Sequence, residues 1–168
     1  MMLTSTCDNV RSTGAWQTYA LTAAAVTACA VVGAKAVDAD SAWYRALDKP
    51  PWQPPSWAFG AVWTPLYASV AWSGGRALNR VRGRAGRKVA LSLAANLTLN
   101  AAWNWAFFGR RSLKAGVLGT LLLDVSNAEL IRRTNRVDPV AARVLLPYAG
   151  WCVFATALNS AIARRNSV

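Results

Sequence analysis

The chain has 168 residues, of which 54% are apolar and 15% charged, against a charged share of about 25% in ordinary soluble domains. It carries 19 Lys and Arg against 7 Asp and Glu, with nine tryptophans, three cysteines and no histidine. That balance suits lipid better than water, and the missing histidine excludes a Ser/His/Asp triad, a Cys/His dyad and the usual zinc sites.

The first apolar stretch runs from Trp16 to Val37. Arg11 ahead of it and small residues at its end suggest a secretory signal, but its length exceeds the signal core of about 7 to 15 residues, so it reads as a retained helix. Four more stretches follow, Ser56 to Leu78, Val89 to Phe108, Leu113 to Ile131 and Val140 to Ala163. Each is close to the roughly 20 residues a helix needs to cross the hydrocarbon core. Segments such as "AVTACAVVGA" and "VLGTLLLDV" offer no polar face at helical period, which a soluble helix requires. The expected fold is therefore all-α, an integral membrane bundle of five transmembrane helices forming one domain over residues 1–168. Many apolar residues are alanine, so a hydropathy window is expected to miss spans.

Between the first two spans lies WYRALDKPPWQPPSWAFGAVWTPLY, Trp43 to Tyr67, with five prolines and four tryptophans. Proline fixes φ near −65° and biases the residue before it to extended geometry, so "DKPPWQPP" is a stiff strap. Trp43 and Trp52 ride on it, and Trp57, Phe59 and Trp63 follow, the last two one helical turn apart on one face. An interfacial aromatic belt would account for tryptophans here, but a belt needs no prolines.

In the third span Asn96, Asn100 and Asn104 recur every four residues, which stacks three amides on one face. Such a face looks inward, either to bond other helices or to meet a ligand. The fourth span holds Asp124 and Glu129. An acid this deep in a membrane reads as an interior-facing functional group, whereas Glu129 is near enough to Arg132 and Arg133 to reach the headgroups. The Gly-rich piece "SGGRALNRVRGRAG" lacks the context of a phosphate loop and reads as a flexible basic turn.

The cations sit between the spans, which marks topology before nucleic acid; no soluble basic domain exists to carry the latter. Eleven lie on the side of the N-terminus with the second and fourth connections, eight on the other, which favours a cytoplasmic N-terminus in an unspecified membrane.

Three ordered blocks now stand out: Trp43-Tyr44 with Lys49-Pro50, Trp52, Pro54-Pro55, Trp57, Gly60, Val62-Trp63 and Leu66-Tyr67; then Leu99-Asn100, Trp103 and Phe107-Phe108-Gly109; then Pro147-Tyr148, Trp151, Ala155 and Leu158-Asn159. Together they resemble the tryptophan-rich sensory protein and translocator protein family (TspO/MBR), which includes the mitochondrial benzodiazepine receptor, across Trp16 to Arg165. The resemblance implies a five-helix bundle, usually a homodimer, with a ligand cavity under the first loop. Family members bind porphyrins and haem, sterols in animals, and synthetic benzodiazepine or isoquinoline ligands, and some bacterial members promote protoporphyrin degradation. Carried onto this chain, the pocket would be lined by Phe59, Gly60 and Trp63, by Asn100, Trp103 and Phe107, and by Trp151, Ala155 and Leu158, with Trp43, Trp52 and Trp57 as its lid.

Two departures limit the inheritance. Ser160 follows Asn159 where the animal sterol motif needs an aromatic residue, which puts sterol binding in doubt. Many relatives carry an acid about ten residues beyond Phe-Phe-Gly, where this chain has Gly119. Asp124, five residues on, faces about 140° away and is not expected to inherit that acid's role. The resemblance therefore implies a membrane receptor or sensor for tetrapyrroles such as protoporphyrin IX or haem, with no cofactor, metal or catalytic residue required. The alternatives are a porphyrin-modifying enzyme and a small-molecule transporter; an odd number of spans does not divide into two equal repeats, which speaks against the last. If the cations orient the chain, a reporter fused within Arg76 to Lys88 is cytoplasmic and one fused after Val168 lies opposite. Both reporters on one face would overturn the five-span count.

Overall fold

A computed structural model describes residues 4–166 of the chain. Among them every regular element is helical: α1 (Thr4–Ala34), α2 (Ala42–Ala46), α3 (Ser56–Arg80), α4 (Gly83–Asn104) running into a π-helical turn (Trp105–Gly109), α5 (Leu113–Asn135), α6 (Pro139–Val144) and α7 (Leu146–Arg165). The five expected spans are α1, α3, α4, α5 and the α6–α7 pair. Lipid imposes this, because a helix satisfies its backbone hydrogen bonds within itself. Among the described residues, by composition alone only Gly14–Ala34 and Pro139–Arg165 are long and apolar enough to cross, as the alanine-rich make-up leads one to expect.

Around the bundle, α1 packs between α3 and α4, and α5 packs between α4 and α7. α3 and α7 touch only sparsely, and the circle closes mainly where α6 lies on α3. The core is built from Val26 and Cys29, Leu66 and Val70, Leu93 and Leu97, Leu123 and Leu130, and Leu145, Tyr148 and Cys152. Outside it Leu21, Leu91, Leu118, Leu122, Val125 and Val153 are exposed, which is the lipid-facing surface of a membrane bundle.

The helices run further than the apolar stretches do. The basic connection expected to be a flexible turn is mostly helix, since α3 continues to Arg80 and α4 starts at Gly83. Its glycines serve packing: a Cβ on Gly75 would lie 2.3 Å from the Tyr19 ring of α1. Only Gly83, at φ +62°, needs a glycine's backbone freedom.

At the end of the bundle holding the second and fourth connections, Asp138 has no exposed surface. Its Oδ1 accepts from the N–H groups of Val140 (2.9 Å) and Ala141 (3.1 Å), capping α6. Its Oδ2 meets Nε of Arg76 (2.8 Å) and Nε of Arg80 (2.9 Å) at the end of α3. Burial alone would raise this carboxyl, but the two N–H groups and two guanidinium groups outweigh it and hold it below the ordinary carboxylate range. A depressed folded-state value means the stabilisation is present above the unfolded value of about 4 and is lost as pH falls through the lower folded value. Thermal melts in detergent are therefore expected to drop below about pH 4 more steeply in wild type than in Asp138→Asn. At neutral pH Asp138→Ala is expected to cost at least the cap, about 1 kcal/mol.

Candidate functional site

The strap between α1 and α3 is capped within itself and fastened to the C-terminal end of α7. Ser41 caps α2, its Oγ accepting from the N–H of Tyr44 at 3.3 Å. The backbone N–H of Asp48 donates to Oδ1 of Asn166 (3.0 Å), and Nδ2 of Asn166 donates back to the Asp48 carbonyl (2.9 Å). Arg165 adds an ion pair to the Asp48 carboxylate at 3.2 Å. The first connection is thus held to the end of α7, which agrees with the four crossings, an even number, between them.

Beneath the strap the aromatic residues form two banks. In the first, Trp63 stacks on Tyr67 (centroids 5.0 Å apart, planes at 29°) and meets the edge of Tyr148 at 6.1 Å. Phe59 packs edge-on to Trp151 (5.9 Å), Trp151 lies against Phe154 (5.0 Å), and Trp52 reaches from the strap onto Phe154 (5.8 Å). This bank spans the loosely packed seam between α3 and α7. In the second, Trp103 stacks on Phe107 (5.5 Å, 12°) and Trp43 comes down from α2 with its edge on Phe107 (5.4 Å). Tyr44 and Phe108 complete it at 5.3 Å.

The π-helical turn and two glycines make the second bank fit. The turn over Trp105–Gly109 widens the helix end as it presents Phe107 and Phe108. A Cβ on Gly116 would sit 2.5 Å from Phe107 Cδ2, and one on Gly119 would sit 3.0 Å from Trp103 Cδ1. Bare backbone there lets the rings lie on α5, and Trp103 Nε1 donates to the Gly116 carbonyl at 3.1 Å.

Asn100 is buried and ties the first bank to the bundle's interior. Its Oδ1 accepts from the Tyr67 hydroxyl (2.9 Å), and its Nδ2 donates to the Tyr148 hydroxyl (3.2 Å). Tyr148 donates to Oδ1 of Asn96 (2.9 Å), whose Nδ2 donates to Oδ1 of Asn127 on α5 (2.7 Å) and to Ser126 (3.2 Å). Cys29 of α1 donates its thiol to the Leu97 carbonyl at 3.1 Å. Of the three stacked amides, Asn96 and Asn100 thus bond other helices, while Asn104 donates back to the carbonyl of Asn100 (3.3 Å).

The expected pocket residues are therefore divided between the banks. Phe59, Trp63, Asn100, Trp151 and Trp52 belong to the first, and Trp43, Trp103 and Phe107 to the second. Leu158 is buried in α7 and Ala155 half-buried, whereas Gly60 is exposed and Trp57, 73% exposed, points away from both banks. Trp43, expected in the lid, is half-buried against Phe107. Tyr44, Tyr67, Phe108, Tyr148 and Phe154 join the banks without having been singled out, although all but Phe154 stand in the motif blocks. A separate groove of about 500 Å³ runs between α1 and α4, lined by Ala25, Ala28, Ala94, Leu97, Ala101 and Trp105 among others. Gly119 lies under Trp103 of α4 while Asp124 meets Thr156 of α7 (2.6 Å), so the two positions do face different helices.

Gly116→Ala inserts a methyl group where the Phe107 ring lies. Overpacking of this kind costs about 1 to 3 kcal/mol, of which about 1 is returned by alanine's better helix propensity. Melting in detergent is expected to show Gly116→Ala destabilised and Gly150→Ala, where a Cβ meets nothing within 4 Å, unchanged or stabilised.

Residues 20–165 match the TspO/MBR family. Among curated proteins the chain is similar to the Translocator protein of Homo sapiens, 36% identical over 126 residues that cover 74% of this chain and 75% of that one. The Tryptophan-rich protein TspO of Chlorobaculum tepidum is 35% identical over 129 residues, 74% of this chain and 79% of its own. Protein CrtK of Rhodobacter capsulatus is 33% identical over 141 residues, 83% and 88% of the two chains.

Proposed function

The chain belongs to the TspO/MBR family, and on that premise we propose that it is a membrane receptor or sensor whose first bank of rings receives a flat hydrophobic ligand, a tetrapyrrole such as protoporphyrin IX foremost. The observation that carries this reading is the position of the bank. Phe59, Trp63, Tyr67, Trp151 and Phe154 line a seam where α3 and α7 touch only sparsely, and the strap crosses its mouth with Trp52 on Phe154. Rings in such a seam exchange contacts with one another for contacts with a guest at little cost in apolar burial. Asn100 and the Tyr67 hydroxyl supply the polar groups that would orient it. Lys49, whose Nζ lies 4.6 Å from the centroid of the Tyr44 ring, is a cation of the strap that suits propionates.

Iron adds little to such binding. The chain has no histidine, and its two methionines are Met1 and Met2, so the common axial ligands of haem iron are missing from the spans. Cys29 is committed to the Leu97 carbonyl and Cys152 is buried beside Tyr148 and Asn127. Metal-free porphyrin should therefore bind at least as well as haem.

Titration of protoporphyrin IX into the purified protein, followed by tryptophan quenching in the dark, tests the reading. Trp63→Phe and Trp151→Phe keep apolar bulk and lose ring area, so affinity is expected to fall by about 0.5 to 1.5 kcal/mol each while the melting curve holds. Variants that bind like wild type but melt earlier would make the rings structural and defeat the assignment. New product spectra after illumination would move the reading to a porphyrin-modifying enzyme.

A further inference from the structure

The hydrogen bonds through the bundle have a direction. Tyr67 donates to Asn100, Asn100 to Tyr148, Tyr148 to Asn96, and Asn96 to Asn127, so every hydrogen points from α3 toward α5. The line ends at Nδ2 of Asn127, a side chain 2% exposed, and among the described residues no nitrogen or oxygen accepts from this donor, the Cys152 sulfur being its neighbour. One turn earlier on the same face of α5, Asp124 accepts from Thr156 through Oδ2 and leaves Oδ1 buried and equally unpartnered.

An orphan donor and an orphan acceptor thus stand three residues apart, where Cβ atoms are about 5 to 6 Å from each other. The Cys152 thiol of α7 lies beside Asn127 and within the field of Asp124. What fits between them must accept from an amide and donate to a carboxylate. Water does both strongly, whereas the neighbouring Cys152 thiol is a weak donor and a weak acceptor, and a metal cation is refused by the amide hydrogens.

We propose that Asp124 is a proton-binding site, bridged to Asn127 by one water molecule, and that the directed line of hydrogen bonds links its charge to the ring bank at Trp63 and Tyr67. The ligand half of this proposal rests on the function proposed above. With Asp124 ionised, Oδ1 accepts from the water, the water accepts from Asn127, and each dipole back to Tyr67 points at the negative charge. The Tyr67 hydroxyl is then committed to Asn100. A proton taken up from solvent goes onto Oδ1 and turns it from acceptor to donor. The line loses the charge that orders it, and Tyr67 is released to donate to a guest.

The surroundings leave Asp124 as the group that titrates. From α7 it faces Cys152, Thr156 and, farther along, Tyr148; from α4 the neutral Asn96 closes the line. On its own helix Glu129 is paired with Arg132 and Arg133. Among the described residues no cation pairs with Asp124. An ionisable side chain held in a span without a counter-ion is costly in its charged form, and such groups are found where a charge is used.

The test uses the full chain in lipid nanodiscs. Infrared titration follows the carbonyl stretch of a protonated carboxylic acid. A titrating band is expected in wild type and absent in the isosteric Asp124→Asn. Tyr67→Phe, which deletes only the far hydroxyl, is expected to raise the band's midpoint by about half a pH unit, as fits the loss of one ordered donor. In a second arm protoporphyrin IX is titrated across the same pH range. Wild-type affinity is expected to rise about fivefold or more as pH falls through the infrared midpoint, whereas Asp124→Asn, carrying the ligand's own titration equally, holds the low-pH affinity throughout. A band that survives in Asp124→Asn, or a midpoint that Tyr67→Phe leaves in place, overturns the relay. Coincident pH profiles for wild type and Asp124→Asn overturn the coupling and leave the receptor reading standing. If porphyrin binds to neither, the receptor reading fails, and the infrared shift alone decides the relay.

Discussion

Lipid tails offer a side chain no hydrogen bond, so a polar group in the hydrocarbon layer needs its partner inside the bundle, and the chain places a row of amides and phenols in its interior under that constraint. Asn96 and Asn100 on α4 cannot be left unpaired there, so α3, α5 and α7 must each present a partner at one depth and in one rotation: Tyr67, Asn127 and Tyr148. Leucines and alanines pack in many registers, whereas hydrogen bonds at 2.7 to 3.2 Å select one. The positions of the aromatic banks follow, because Trp63 stacks on the same Tyr67 whose hydroxyl is tied to Asn100.

Aromatic bulk and missing bulk are matched with similar economy. Trp103 and Phe107 lie where α5 has Gly116 and Gly119, and Tyr19 lies where α3 has Gly75. A glycine-to-ring contact lets two helices approach while a large side chain still fills the interface, which accounts for a bundle so rich in both the smallest and the largest residues.

Much of this was legible in the sequence, and what was not has identifiable physical causes. The five spans and the all-helical fold follow from segment length and from the absence of polar faces, and the pairing of Glu129 with Arg132 and Arg133 follows from spacing. The inward face of Asn96 and Asn100 was readable from their four-residue repeat, but Asn104 obeys the same repeat and only bonds its own helix, since depth along a helix is not written in periodicity. The π-helical turn leaves no signature in "WAFFG", and it decides where Phe107 and Phe108 point. That the expected pocket residues fall into two banks, and that Asp138 draws in Arg76 and Arg80, depends on contacts more than 50 residues apart in sequence. Trp57 was grouped with the lid by its neighbours, but the first turn of α3 turns it outward.

The clasp between Asp48 and the end of α7 has two parts of different character. The reciprocal bonds with Asn166 are neutral, and the pair with Arg165 is an exposed ion pair whose partners keep 42% and 60% of their side-chain surface. Counter-ions screen the second and leave the first alone. The strap over the ring bank is therefore governed from the water side: ionic strength loosens one strand of its fastening and leaves the other in place.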